Sequence, residues 1–279
     1  MSRRLNLAVG ETLALPTEGL AWWTVHRGVS PVLATAIHNG HAVAADAADR
    51  MALGADDRLR EEDPFTEFTI RDVPNRITVH RSRFEVDINR ARREAVYLTP
   101  TQCWGLRLWT DPPVPWMVDR ALLMHDQYYL MLRTLLEGLQ AQFGRFVVLD
   151  IHSYNHRRDG AAEPPTDPAR MPDVNIGTFS MDRARWAHVV EPFMDHLSRV
   201  EVGGRRLDVR ENVAFQGRGE QTRFIHEAFP LSGCAIAVEF KKTFMDEWTG
   251  RPDPEALAGL RAAIRSSLPV LEKALAAGA

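Results

Sequence analysis

The stretch VVLDIHSYNHRR at residues 147–158 passes abruptly from apolar to polar. Val147, Val148 and Leu149 suit a strand buried on both faces, whereas His152, Ser153, Tyr154 and His156 add nothing to the packing of such a strand. Buried strands that deliver polar side chains at their carboxyl ends belong to open α/β sheets, where ligands sit beyond those ends.

The rest of the chain supports that architecture. After the Pro-rich connector TDPPVPW, Val118, Leu122, His125, Tyr129, Leu132, Leu136, Leu139 and Phe143 recur at helical steps. They mark the apolar stripe of a long helix, with Gly144 as its C-cap and His125 as a satisfied core histidine. SPVLATAIHNG at residues 30–40 reads as a strand ending near His38, and CAIAVEF at residues 234–240 as another. Residues 77–80 and 84–88 also read as strands, residues 42–53 as helical, and residues 54–68 as an acidic surface loop. A helix is expected around residues 181–200, a short strand near 207–209, a helical turn before Phe229, and a final helix from Asp253–Pro254. Strands alternating with helices of this length predict an α/β fold with a mixed, mostly parallel sheet flanked by helices.

At 279 residues and 45% hydrophobic, the chain suits a single domain over residues 1–279, with its core at about 30–250 and a C-terminal helix at 253–277. A net charge of −3 gives no electrostatic footprint for nucleic acid or an anionic membrane. Cys103 and Cys234 lie too far apart in sequence to suggest a thiolate metal site. No run approaches the roughly 20 apolar residues of a membrane span. Gly10, Glu11 and Thr12 interrupt the N-terminal apolar residues before a signal-peptide core forms, so the expectation is a soluble, cytoplasmic protein. Oligomeric state has no signature in the sequence.

Three expected strand ends carry chemistry: Ile37–His41, Asp150–Tyr154 and Val238–Lys242. A catalytic zinc site uses histidine or carboxylate ligands and keeps one position open. A turn through Gly40 can aim His38 and His41 at one ion, and His152 can close the set. Glu62 or Asp63, from REEDP, offers a carboxylate if His41 points elsewhere. Asp150 lies on the same strand face as His152 and can orient it. Asp173 and Asn175 are further candidates for lining the pocket, with His80, His156 and His226 in reserve.

DIHSYNHRR resembles the strand-end histidine segment of the zinc carboxypeptidase and aspartoacylase superfamily. FEVDINR, residues 84–90, is similar to the Asp-x-Asn-Arg segment with which those enzymes grip a substrate carboxylate. SRFEVDINR together with AIAVEFKKTFMDE narrows the resemblance to N-formylglutamate amidohydrolases, from about His38 to Glu247. The resemblance implies a phosphorylase/hydrolase-like fold of the zinc carboxypeptidase kind. It implies His38 and His152 as ligands of Zn2+ or another divalent ion, and Asn89 and Arg90 as the carboxylate-binding pair. Arg83, with Arg81 as its rival, would polarise the scissile carbonyl, and Glu239 would be the general base. Ser153 and Tyr154 would shape the pocket, with Arg157, Arg158, Lys241 and Lys242 extending its anion-binding part. The superfamily's His-x-x-Glu is here His38-Asn-Gly-His41, so the third ligand is left among His41, Glu62 and Asp63. The implied activity is hydrolysis of the amide C–N bond of a small anionic N-acyl amino acid such as N-formylglutamate. The alternatives are a carboxypeptidase or peptidoglycan-type amidase using the same site, and a non-catalytic ligand-binding protein.

Overall fold

The computed structural model describes residues 8–17 and 20–277. The strands are β1 (Thr12–Thr17), β2 (Leu20–His26), β3 (Val32–Ala36), β4 (Asn75–Val79), β5 (Phe146–Tyr154), β6 (Val174–Gly177), β7 (Glu201–Val202), β8 (Arg205–Arg206), β9 (Val209–Glu211) and β10 (Gly233–Lys241). The helices are α1 (Ala45–Ala48), α2 (Ala55–Glu61), α3 (Thr66–Thr69), α4 (Pro115–Phe143), α5 (Ala187–Ser198), α6 (Glu220–Ala228) and α7 (Pro254–Ala277).

β7 and β8 form a small hairpin, and the other strands form one sheet in the order β1-β2-β4-β3-β5-β10-β6-β9. The central four, β4-β3-β5-β10, are parallel to one another, and antiparallel neighbours close both sides. This is the mixed, mostly parallel sheet expected from the sequence. From β3 the chain crosses to β4 on one side, then returns to β5 on the other. The carboxyl ends of β3 and β5 therefore flank a point where the winding reverses, the usual place for a ligand crevice.

The period-two alternation of the strands divides the core. Val147, Leu149 and Ile151 of β5 pack on the face covered by α3, α5 and α7, and Phe146 and Val148 on the face covered by α4 and α6. Asp150 and His152 share the second face with Val148. α4 carries Pro115 at its start and Gly144, with φ of 75°, just past its end, as the stripe and its closing glycine require. Asp253 caps α7 by accepting the N–H groups of Glu255 and Ala256. Among the described residues, no helix is long and apolar enough to cross a membrane.

Several elements depart from expectation. Residues 84–88 are not a strand. Ser82 Oγ accepts the Phe84 N–H, and the Ser82 carbonyl accepts those of Glu85 and Val86, which folds the alternating run into turns. The acidic stretch 54–68 is not a simple surface loop: it forms α2 and α3 and buries Glu62 and Asp63 between them. Helix α1 occupies only four residues of 42–53, α5 starts at Ala187 rather than near 181, and the short strand expected near 207–209 is β9 at Val209–Glu211.

Candidate functional site

The turn after β3 brings His38 beside His152 at the end of β5, with ring centroids 4.9 Å apart. Gly40 permits that turn: a Cβ there would lie 2.1 Å from the His80 carbonyl carbon, so a side chain would push the 38–41 segment off the sheet. Asp63 enters from the end of α2. Its Oδ2 lies 3.0 Å from His152 Nδ1 and 3.4 Å from His38 Nδ1, and its Oδ1 accepts from Ser153 Oγ at 3.1 Å. Each imidazole has another carboxylate behind it. His38 Nε2 is 2.8 Å from Asp87 Oδ1, and His152 Nε2 is 3.2 Å from Asp150 Oδ2. Asp87 also takes Arg83 Nη2 at 2.8 Å, the Asn89 N–H at 2.9 Å and the Tyr97 hydroxyl.

The charges follow from these contacts. Burial pushes the Asp63 carboxyl upward, but the bond to His152 and the nearby imidazole of His38 prevail and hold it well below the usual carboxylate range. Burial likewise opposes ionisation of Asp87, and Arg83 and His38 overcome it. Burial disfavours a charged His152, yet Asp150 and Asp63 raise it well above an ordinary histidine. Glu239 differs. Set beside His152 in the β10–β5 ladder, it is pushed up to about 7, chiefly by burial and further by Asp63 and Asp150, against the pull of His152 and Arg83. His38, Asp63, Arg83, Asp150, His152 and Glu239 line a cavity of about 540 Å³.

His38, Asp63 and His152 also suit a metal ion. Their ligand atoms all lie within 4.8 Å of one another. A tetrahedral zinc with bonds of about 2.0–2.1 Å spaces its ligands about 3.3 Å apart, close to the two distances found here. The Nδ1 of His38 is buried and has no hydrogen-bond partner, although a carboxylate oxygen faces it. A lone pair and a carboxylate pointing at one spot are reconciled by a cation.

The family model for N-formylglutamate amidohydrolases matches residues 30–245. The chain belongs to that family. No curated protein matches it. Among solved structures, it is similar to an N-formylglutamate amidohydrolase from Ralstonia eutropha JMP134, with a TM-score of 0.70 and 17% identity over 92% of this chain and 99% of that one. It is also similar to a gene product of Agrobacterium tumefaciens, with a TM-score of 0.59 and 15% identity over 91% of this chain and 95% of that one. At these identities the likeness shows a shared fold.

The structure sorts the residues singled out in this member of the family. His41 and Glu62 do not join the cluster. They pair with each other at 2.7 Å, and Glu62 also takes the Ser82 hydroxyl. The chain is extended at Glu62, with ψ of 176°, so Glu62 and Asp63 point to opposite sides. Of the rival arginines, Arg83 lines the cavity, whereas Arg81 is buried against Glu85 at 3.4 Å. Asn89 and Arg90 line the cavity, and Asn89 Nδ2 lies 3.4 Å from His152 Nε2. Ser153 and Tyr154 line it too, but the Tyr154 hydroxyl is taken up by the Pro172 carbonyl. Arg157 does not reach the cavity: its guanidinium donates to the Ala161 carbonyl. Lys241 pairs with Asp173 at 2.8 Å, whereas Arg158 and Lys242 line the cavity. Asn175 is spent on the backbone of residues 213–215, and His125 Nε2 donates to the Arg90 carbonyl at 3.0 Å as a core histidine would.

Three residues went unnoticed in the sequence as parts of the site. Asp87 anchors both His38 and Arg83; its place in Asp-x-Asn-Arg was the available signal. Gln221 donates to Thr35 Oγ at 2.7 Å and Asp150 Oδ1 at 2.6 Å, and no local pattern marks it. Trp104 lies over Arg83, whose guanidinium carbon is 4.7 Å from the ring centroid.

Proposed function

We propose that this chain is a metal-dependent amidohydrolase that cleaves the amide C–N bond of a small N-acyl amino acid, of which N-formylglutamate is the type. The supporting observation is the convergence, in one cavity, of the His38–Asp63–His152 cluster with a carboxyl group at Glu239 poised near neutrality. His38, Asp63 and His152 would hold Zn2+ or another divalent ion, oriented by Asp87 and Asp150. When bound, such an ion supplies Lewis acidity toward a carbonyl and makes water more acidic.

Glu239 takes a proton from the attacking water and delivers it to the departing nitrogen, a task suited to a carboxyl whose pKa lies near the working pH. Arg83 holds positive charge beside the cavity where the tetrahedral oxyanion develops. It is kept charged there: burial opposes its charge, but Asp87, Tyr97 and Asp63 more than offset that and raise its pKa. Asn89 and the Arg90 fork grip the substrate carboxylate. Ser153 steadies Asp63. A cavity of about 540 Å³ suits a small molecule better than a polymer. A non-catalytic binder has no use for a half-ionised carboxyl at Glu239.

The test is Glu239→Gln in metal-loaded protein. Metal stoichiometry should be unchanged, while kcat on N-formyl amino acids falls by about 10²–10⁴-fold. Turnover that survives the substitution removes this mechanism.

A further inference from the structure

Asp63 follows directly on the C-cap of α2, where the backbone is held only by what lies outside the helix. The carbonyls of a helix's last turn have no partner within it. At the end of α2 the Glu62 N–H still closes onto the Arg58 carbonyl at 2.9 Å. The Arg60 carbonyl would next look four residues on, to Pro64, which has no N–H.

Lys242 fills that gap from the far side of the cavity. Its N–H donates to the Tyr154 carbonyl at 3.0 Å, which carries the β10–β5 ladder one step past Lys241 and holds its backbone to the sheet. Its side chain is buried, and Nζ donates to the carbonyls of Arg60 at 2.6 Å and Glu62 at 2.7 Å. A cation also suits the negative end of α2. The Glu62 carbonyl is one end of the peptide unit that joins Glu62 to Asp63. The other end, the Asp63 N–H, donates to the His38 carbonyl at 2.9 Å. One peptide plane is therefore held by Lys242, just after β10, and by His38, just after β3. The Asp63 side chain springs from the next atom of the chain.

We propose that Lys242 is a positioning residue of the site: it anchors the Glu62–Asp63 peptide so that the Asp63 carboxylate meets the imidazoles of both His38 and His152. Two of its three protons go to the backbone carbonyls, which makes it a brace for the chain before it is a donor to substrate. The Glu62 side chain, tied to Ser82 and His41, holds the same segment from the side away from the cavity. A ligand group must be kept within about 0.5 Å of its working position, and a helix end with unpaired carbonyls does not keep one there. This inference rests on the reading of His38, Asp63 and His152 as a metal cluster.

The first measurement needs no metal. A crystal structure of metal-free Lys242→Met, which keeps the length of the side chain and loses its donors, should show Asp63 Oδ2 out of its 3.0 Å contact with His152 Nδ1. The second is calorimetric titration of Zn2+ into wild type, Lys242→Met, Asp63→Ala and the double variant. Lys242→Met should weaken Zn2+ binding by about 10–100-fold where Asp63 is present. In the Asp63→Ala background the same change should cost less than about twofold, because the brace then has nothing to aim. A general loss of packing would cost both backgrounds alike. Lys242→Gln, shorter but still a donor, is read in the same way if the Met variant does not fold. If wild type binds no metal, the metal reading fails, and the position of Asp63 in the variant crystal decides the role of Lys242. The proposal is overturned if Asp63 keeps its contact with His152 in the folded variant. In protein that binds Zn2+, it is equally overturned if the affinity falls by the same factor with and without Asp63, or does not fall.

Discussion

His226, on the last turn of α6, and His152, at the end of β5, are treated in opposite ways by this fold. His226 has both ring nitrogens occupied by uncharged groups: Nδ1 lies 3.0 Å from Ser180 Oγ, and Nε2 accepts the Ala235 N–H at 3.0 Å. Burial then holds its pKa down, at about 4, and the ring stays neutral as a structural link between α6 and β10. His152 is more deeply buried but lies between the carboxylates of Asp63 and Asp150, which lift it well above an ordinary histidine. Its neighbour His38 has an Nδ1 with no hydrogen-bond partner. One histidine completes the protein's internal hydrogen bonding, while the other two face a shared carboxylate and leave one buried ring nitrogen without a hydrogen-bond partner. Burial alone therefore does not set the charge of a histidine; the charge of its partners does.

The largest expected effect tests the shared anion. Asp63→Ala removes the carboxylate on which both ring Nδ1 atoms converge, and it should weaken divalent-metal binding by more than the roughly 100-fold upper range of outer partners. Metal titration monitored by calorimetry measures it, with His226→Gln as the control that should bind normally. Equal affinity in the Asp63 variant would mean that the cluster is a structural ion pair like many others.

Asp87→Asn asks a finer question, because Asp87 touches the candidate centre only through His38 Nε2. The neutral amide can no longer polarise that ring, and metal affinity should fall by about 10–100-fold. The same change frees Arg83 from its ion pair, so kcat should fall further than metal saturation explains. Metal titration together with kcat at saturating metal separates the two losses.

The contrast between these regions also explains how much could be read from the sequence. His38, His152 and Glu239 were legible because each ends an apolar run, and in an open α/β sheet that position faces the crevice. Asp63 could not be separated from Glu62 and His41, because the choice depends on where α2 stops and the chain becomes extended. Residues 84–88 alternate like a strand, yet the Ser82 hydroxyl and the bond from Asp87 N–H to the Ala95 carbonyl turn them. Arg157 looked as suitable as Arg158, but a guanidinium bond to the Ala161 carbonyl diverts it. Gln221 contacts Asp150 across 71 residues, and only the assembled sheet brings them together. Strand ends are local facts, whereas partners brought together by the fold are not.

The smallest effect tests the other half of the comparison, the neutral histidine. A folded-state pKa of about 4 at His226 lies below the 6.5 of an exposed imidazole, so the unfolded chain binds this proton first as pH falls. Its contribution to stability should be complete above about pH 6.5, decline between there and about pH 4, and change no further below that. The full decline, at about 1.36 kcal/mol per pKa unit, amounts to about 3 kcal/mol. Urea unfolding of wild type and His226→Gln at pH 7 and pH 4.5 isolates it. Gln keeps an acceptor for the Ala235 N–H but does not titrate, so the variant should lose less stability on acidification than wild type. The two proteins should also bind metal alike at pH 7. A steeper acid loss in the variant would show that the proton on His226 is tolerated, and with it would go the distinction between a histidine held neutral by its fold and those set against carboxylates.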